Sequence, residues 1–566
     1  MKVYSIQYIV YRVVIFFFLC NLIYGGEDFS VGYQSSMKRV FKDKAFKGET
    51  VKNPIEISCA KNEYETFQLV ILPKSRDLLG IKIEPEDFIG EDGKLKISKD
   101  NIKINIVGYV KIEKTFSGRK PGWYPDPLIP NFSVNVKSTE VQPFWVTIYV
   151  PTDTVAGKYK GRIKITPINM KSEEVLISLK VRDFSLPKTL HLKTMCWTPT
   201  ETIKKFYKSV IPMEGKENVA KRDEIFRNYW GTLLEYRLGV GGDIALGMWW
   251  KIFGPVQGEL GSLDFSEVER RLTWAFDRGL NAFIMGLTPN LKRENQKEYS
   301  QKYQEELKQY LREYSAFLEK KGWLDYAFVY TYDEAPKSAW PEVKKISNVI
   351  RSVNKKLKIY QCINEPEGVR ELNDYVDIWD VYVAQYWGTG VSEYQKKGKE
   401  VWLAVCIWPA DPPNLFVEYL PLDARVLSWF CWKYNAVGFE YWSSVSWKDN
   451  ASSYKEYWKS VEFTDWKADD KGGQDGYLLY PGPDGTAIPS IRLSNLREGF
   501  EDYEYLYILR EKFNANKSKL DSKISKEIQD LMVSEEIVTS TGSYSEDPKK
   551  IEELREKIGD LIEKLK

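Results

Sequence analysis

From about Asp28 to Leu186, apolar and polar residues alternate with period two in KISKDNIKINIVGYVKIEK, FWVTIYVP, KYKGRIKITPI and EEVLISLKVRDF, with turn signals such as NPIE, DG and AGK between them. Short alternating strands at this spacing predict a β-sandwich. One stretch breaks the rhythm. TFSGRKPGWYPDPLIP, from Thr115 to Pro130, is too rich in Pro, Gly and aromatics for a strand. It is expected to be a stiff loop, either packed on a neighbouring domain or part of a site.

After Ser185-Leu186-Pro187 the pattern changes to short apolar runs separated by stretches with i, i+3, i+4 periodicity. The candidate strands are TMCW (194–197), ALGMWW (245–250), AFIMG (282–286), YAFVYTY (326–332), KIYQCI (358–363), DIWDVYVAQY (377–386), VWLAVCIW (401–408) and GFEYW (438–442). Helical patterns lie between most of them, in RDEIFRNYWGTLLEYR, FSEVERRLTWAFDRG, QEELKQYLREYSAFLEK, WPEVKKISNVIRSV and ARVLSWFCWKY. Eight strands alternating with helices predict parallel βα units closing into a (β/α)8 TIM barrel. The remainder starts with a strand-like GYLLYPG and continues as two charged helices from Ser490 to Lys566, whose runs such as KKIEELREK read as solvated faces, while EGFEDYEYL, with Arg497, Glu498, Glu501 and Asp502, reads as helix packing and ion pairs. The expected fold is multidomain: an all-β sandwich over 27–187, a barrel over 188–470 and a C-terminal helical segment over 471–566.

Composition narrows the chemistry. The 566 residues carry 82 Lys+Arg against 80 Asp+Glu, a net charge of +2, which argues against a nucleic-acid binder held by bulk charge. A single histidine, His191, excludes a multi-His metal site and makes a Ser-His-Asp or Cys-His arrangement depend on one residue in an interdomain run. The six cysteines show no CxxC or CxxH spacing, and Cys362, Cys406 and Cys431 read as buried thiols. No metal or other cofactor is expected. At the N-terminus, Lys2 and Arg12 precede VVIFFFLCNLIYGG (13–26), the pattern of an export signal over 1–26, with a retained membrane anchor as the alternative. The expected location is extracellular, periplasmic or cell-surface, with no stable membrane span after cleavage.

In a barrel of this kind the site lies at the C-terminal strand ends. After the fourth candidate strand stands Tyr332-Asp333-Glu334-Ala335-Pro336. Neighbours on a regular strand point to opposite faces, so both acids enter one site only where the strand ends or bends. The plainer reading makes Asp333 a helix cap and Glu334 a solvated first-turn acid. Aromatics are abundant, at 14% with 19 Trp and 36 Tyr, and Trp197, Trp249, Trp250, Tyr386, Trp387, Trp408, Tyr441 and Trp442 fall near strand ends. Each alone fits a core; clustered at one mouth they fit stacking on sugar rings. Asp377, Asp380, Asp411 and Glu440 are further acids near that mouth. Paired carboxylates plus aromatics point to glycoside hydrolysis, in which one acid protonates the leaving oxygen and a second carboxylate attacks or stabilises the anomeric carbon. Adjacent acids approach from nearly the same side. Substrate assistance removes that difficulty: a 2-acetamido group attacks, Asp333 holds its N–H, and Glu334 is the acid/base.

The runs AKNEYETFQLVIL (60–72), GWYPDPL (122–128), TYDEAP (331–336), RVLSWFCWKYNAVGFEYW (425–442) and SIRLSNLREGFEDYEYL (490–506) together resemble glycoside hydrolase family 123 and its wider relatives. The resemblance spans most of the chain after the leader. It implies a β-sandwich ahead of a (β/α)8 barrel and a retaining β-N-acetylgalactosaminidase working through an oxazolinium intermediate, with Asp333 and Glu334 in the two roles. Glu440 departs from it, standing where an apolar residue is expected. It is either a sugar-hydroxyl ligand or, like Asp411, the partner of Glu334 in a glycosidase for sugars without an acetamido group. A non-catalytic glycan-binding envelope protein would need only the aromatics. Among secondary ligands, Tyr386 and Trp387 suit a wall of the acetamido pocket, with the Tyr386 hydroxyl on the attacking carbonyl. Trp442 suits the floor, Trp197, Trp408 and Tyr332 the surround, and Arg237 a sugar hydroxyl or a structural ion pair. Trp123 and Tyr124 either flank the site or join the domains.

Overall fold

A computed structural model describes residues 29–51, 54–246, 263–287, 301–447, 454–466 and 474–565. The leader with Cys20, the residues Trp249 and Trp250, and most of the run ALGMWW lie outside the described residues.

The N-terminal region is β-rich and holds two sheets. The first pairs β1 (Phe29–Ser35), β3 (Glu63–Pro73), β7 (Gln142–Val150), β5 (Ile102–Ile112) and β6 (Gly122–Pro130) in that order. The second holds β4 (Leu78–Pro85), β8 (Gly157–Thr166), β9 (Glu173–Ser185) and β2 (Ile55–Lys61), the last pair parallel. Alternation explains their stacking. On β3, Phe67, Leu69 and Ile71 enter the shared core, while Thr66 and Gln68 on the other face are also buried. That second face is covered by a C-terminal helix, where Trp145 of β7 donates to Ser494 Oγ at 3.1 Å.

The stretch 115–130 differs from its expectation, because Gly122–Pro130 is an edge strand, antiparallel to β5 with a register shift between Val107 and Tyr109. Proline is tolerated at such an edge because no ladder donor is required on the open side. The strand joins domains. Its buried Asp126 binds Arg492 at 2.8 and 3.0 Å and accepts from Tyr480 at 2.5 Å, and Tyr124 is buried against Phe41 and Arg39.

The central region is a parallel sheet ordered β10 (Lys193–Cys196), β16 (Gly438–Tyr441), β15 (Glu400–Val405), β14 (Ile378–Tyr382), β13 (Lys358–Cys362), β12 (Ala327–Tyr330) and β11 (Phe283–Leu287). Helices α1 (Val219–Glu235), α2 (Ser266–Phe276), α3 (Gln301–Lys321), α4 (Trp340–Val353) and α5 (Pro421–Lys433) connect its strands. The sheet is curled. Phe328 of β12 lies 5.4 Å from the ring of Trp402 on β15, three strands away, whereas a flat sheet would separate them by roughly 14 Å. Beside the edge strand β10, Val240 forms an isolated parallel bridge with Cys196. Of the expected strand ALGMWW, the described Ala245 and Leu246 lie in and just past a turn.

The C-terminal segment contains three helices rather than two: α6 (Ile491–Asn516), α7 (Ser522–Val533) and α8 (Pro548–Lys564). The first half of α6 is buried all round and carries its charges inside. Glu498 and Asp502 bind Arg425 of α5, Glu501 binds Arg237, and Arg555 of α8 reaches Asp502. Arg497 lies between the rings of Tyr64 and Tyr236. Full burial of charge is tolerated because each acid meets a cation in close geometry.

Candidate active site

The strand register fixes which side chains face the inside of the curled sheet. Side chains on a strand alternate, and parallel partners point the same way. Since Phe328, Tyr360 and Trp402 meet inside, the inner set continues upward through Tyr330 on β12, Cys362 on β13, Asp380 and Tyr382 on β14, Ala404 on β15 and Glu440 on β16. The bottom layer is ionic, with Lys193 and Lys358 on Glu400. The middle is aromatic and the top is acidic.

Strand β12 ends at Tyr330. Beyond Tyr332, Asp333 and Glu334 stand exposed at the mouth, with Glu334 in a left-handed conformation, φ 45°. That conformation costs a non-glycine residue roughly 1–2 kcal/mol, and it resolves the problem of adjacent carboxylates, because the chain has left the strand before they diverge. A tyrosine supports each acid. Tyr330 donates to Asp333 Oδ1 at 2.5 Å, and Tyr382 donates to Glu334 Oε1 at 2.7 Å. The Tyr382 backbone N–H is held by Asn364 Oδ1 at 3.0 Å, which ties the ends of β13 and β14 together.

Beneath the pair lie two buried carboxyls, Asp380 (2% exposed) and Glu440 (7%). Burial, with Asp333 nearby, pushes Asp380 up to about 7. Burial, then the charges of Asp380, Asp333 and Asp475, pushes Glu440 well above the usual carboxylate range. Asp380 Oδ1 has no hydrogen-bond partner among the described residues. The Cys362 thiol is likewise raised by burial and by Asp380 and Asp333, so it stays a neutral thiol rather than a nucleophile. On the next wall Asp475 accepts from Tyr441 at 2.7 Å and from the Trp442 indole at 2.8 Å, fixing Trp442 over Gly476.

The other expected ligands divide between the mouth and the interior. Trp442 (37% exposed) and Trp408 (74%) are exposed beyond the ends of β16 and β15, whereas Trp387, also exposed, turns its ring to Tyr434 at 5.6 Å, on the loop that enters β16 from its lower end, and so does not form the expected wall beside the acids. Trp197 is half-buried, its ring against Gly242. Tyr386 is buried, with its hydroxyl committed to Gln395 at 2.8 Å and its ring against Tyr434. The tyrosine that meets the acid pair from β14 is Tyr382, because the strand ends there and a short 3-10 turn carries Tyr386 aside. Tyr332 is buried rather than at the mouth, and its hydroxyl is influenced by Glu342 of α4.

Arg237 is not at this mouth. It binds Glu501, Pro187 O and Asn62 O, a joint between all three regions, beside a cleft of about 300 Å³ lined by Asn62, Tyr64, Lys188, Leu234 and Arg278 at the opposite end of the sheet. Asp377 also lies at that lower end, on Arg351 at 3.0 Å, and Asp411 is exposed in the loop after β15. His191 is structural, bonded to Glu504 at 2.7 Å and stacked on Tyr507. Tyr382, Tyr330 and Asn364 escape a reading of the sequence alone. The alternation of Asp380 and Tyr382 on one face is the available signal for the first.

A curled parallel sheet with two tyrosine-supported carboxylates and exposed indoles beyond its C-terminal strand ends is the architecture of a glycoside hydrolase. The chain belongs to glycoside hydrolase family 123: residues 274–509 match the family's catalytic domain and residues 34–167 its N-terminal domain. Among solved structures it is similar to a family 123 glycoside hydrolase from Clostridium perfringens, described for glycolipid glycan hydrolysis, at 18% identity and a TM-score of 0.67 over 95% of this chain and 97% of that one. A family 39 glycoside hydrolase from Bacteroides cellulosilyticus is similar at 10% identity and a TM-score of 0.34, covering 75% and 82%. No curated protein matches the chain.

Proposed function

We propose that this hydrolase is a retaining β-N-acetylhexosaminidase, favouring N-acetylgalactosaminides and assisted by its substrate. The supporting observation is that Asp333 and Glu334 both face the mouth from one strand end, each held by a tyrosine hydroxyl. In this reading the 2-acetamido oxygen attacks C1 while Asp333 accepts a hydrogen bond from the amide N–H. Glu334 gives its proton to the glycosidic oxygen and the C1–O bond breaks, leaving an oxazolinium ion. Water then attacks C1 with Glu334 as base, restoring the acetamido group with β configuration retained.

Glu440 fits a ligand better than a nucleophile. A nucleophilic carboxylate must be ionised, and burial beside Asp380 favours the neutral acid here. A buried neutral carboxyl instead suits a sugar hydroxyl. We also read the Val240 segment as the second strand of a complete (β/α)8 barrel, and residues 1–26 as an export signal that places the enzyme outside the cytoplasm.

The test is hydrolysis of aryl 2-acetamido-2-deoxy-β-galactoside and -glucoside beside their 2-hydroxy counterparts, with Asp333→Asn and Glu334→Gln in parallel. Cleavage confined to acetamido sugars and impaired by both substitutions supports the mechanism. Cleavage of 2-hydroxy sugars alone rules it out.

A further inference from the structure

Glu440 is the acid of this mouth that no other part of the described chain engages. Burial and the charges of Asp380, Asp333 and Asp475 act on its carboxyl, and no hydrogen bond from a described residue does. One row lower, Asp380 Oδ1 is buried without a partner as well, so the two acids do not satisfy each other through that atom. Buried polar groups are normally paired, and inward-facing acids with hydrogen-bonding capacity to spare are completed by a polar ligand.

The strand register places Glu440 relative to the acid pair. Tyr382, Ala404 and Glu440 occupy one row on the inner face of β14, β15 and β16. Tyr382 touches Glu334, and the Glu440 backbone lies two strands further round, at most roughly 10 Å away at the usual spacing of neighbouring strands. Ala404 puts only a methyl group between them. In the order of the sheet β16 is four strands from β12, on the far side of the curl from Asp333, whose charge nevertheless reaches both Glu440 and Asp380. Two residues beyond Glu440, Trp442 stands exposed at the exit of the same strand, its indole fixed on Asp475. The acid pair and Glu440 therefore bound one pocket from opposite walls.

With Asp333 and Glu334 as the acid pair, the C2 amide and the C1 oxygen of the sugar are held at the end of β12. In a pyranose C4 stands opposite C1, so its hydroxyl is carried toward the far wall. We propose that Glu440 binds the C4 hydroxyl of the sugar being cleaved and thereby sets the choice between C4 epimers. The assignment rests on the acid pair and adds what that pair cannot do, because the galacto and gluco sugars are identical at C1 and C2. A carboxyl accepts from a hydroxyl or, protonated, donates to it. A site built to hydrogen-bond one substrate hydroxyl rejects the analogue lacking it, because the site's own polar group is then left unpaired.

The experiment compares wild type, Glu440→Leu and Glu440→Gln on aryl 2-acetamido-2-deoxy-β-galactoside, its C4 epimer and its 4-deoxy analogue, with Tm recorded for each protein. Wild type is expected to favour the galactoside over the 4-deoxy analogue by about 100-fold in kcat/KM, and over the epimer as well. Glu440→Leu brings both ratios close to one, whereas Glu440→Gln, which keeps hydrogen-bonding groups of the same reach, retains most of each. Ratios unchanged in Glu440→Leu overturn the assignment, and an equal loss on all three substrates then marks a structural role. A wild type that cleaves all three alike also overturns it and leaves the acid pair intact. If wild type cleaves no acetamido sugar, the reading of Asp333 and Glu334 fails and takes this proposal with it.

Discussion

The Tyr382 hydroxyl donates to Glu334 Oε1 at 2.7 Å from two strands away, although nothing in the local sequence links these residues. The bond orients a carboxylate that otherwise stands exposed on a strained turn. A hydrogen bond to an ionised group is roughly twice as strong as a neutral one and fixes direction as well as energy. Tyr382→Phe removes the donor without emptying the space. We expect kcat on an aryl acetamido glycoside to fall about 10- to 100-fold with KM little changed. An unaltered kcat would mean that Glu334 needs no such support.

Asp380 gives a pH-dependent stability with a definite sign. Burial pushes its carboxyl from 3.8 up to about 7, helped by Asp333 and opposed by the Tyr360 hydroxyl and the Cys362 thiol, while Glu440 lies across the same layer. Between about pH 4 and 7 the unfolded chain has released this proton and the folded chain retains it, so the contribution of Asp380 to stability declines as pH rises through that window. Asparagine at this position is neutral throughout. The difference in Tm between Asp380→Asn and wild type should therefore grow in favour of the variant from pH 4 to 7 and then level off. A pH-independent difference would show that Asp380 is already ionised at pH 4.

The same layer shows how far the sequence could be read. Strands β12 to β16 are visible as apolar runs because both faces are buried, which also hides which residues point inward. In DIWDVYVAQY the apolar run continues past the strand, so its end is read at Tyr386, four residues beyond Tyr382. Gly122–Pro130 reads as a loop because the partner that covers its edge is distant in sequence; Pro127 bridges to Ser490, and Asp126 to Arg492. The run EGFEDYEYL of α6, with Arg497, Glu498, Glu501 and Asp502, reads as helix packing and ion pairs, and its acids are paired in the interior. The partners Arg237, Arg425 and Arg555 lie on other elements, and no local pattern says which cations those acids meet. The adjacent acids, by contrast, are legible because their position after a strand carries the information.

Arg425 is the test of that buried network. It binds Glu498 at 2.7 Å and Asp502 at 2.7 and 2.8 Å, and Trp429 adds an N–H to Asp502 at 3.1 Å, all out of water. Arg425→Ala leaves two buried carboxylates without their main cation, so we expect a loss of about 3–5 kcal/mol in urea denaturation. The exposed pair Lys337–Glu367 provides the contrast, and Lys337→Ala should cost at most about 1 kcal/mol. Equal losses at the two sites would mean that the interior pairs are as well hydrated as the surface one.

Gly438 connects packing to chemistry. A β-carbon built there would lie 2.1 Å from the indole of Trp402 on the neighbouring strand. That indole cannot retreat, because it is fully buried and meets Tyr360 at 5.7 Å and Phe328 at 5.4 Å, the aromatic layer beneath Asp380 and Glu440. Overfilling a packed core costs typically 1–3 kcal/mol and displaces its neighbours. Gly438→Ala is therefore expected to lower both Tm and kcat, since the displaced layer supports the acids. Gly122→Ala, where an added β-carbon meets nothing within 4 Å, should leave both unchanged. If Gly438→Ala lowers Tm and spares kcat, the acidic layer is positioned by its own strands and does not rest on the aromatic stack.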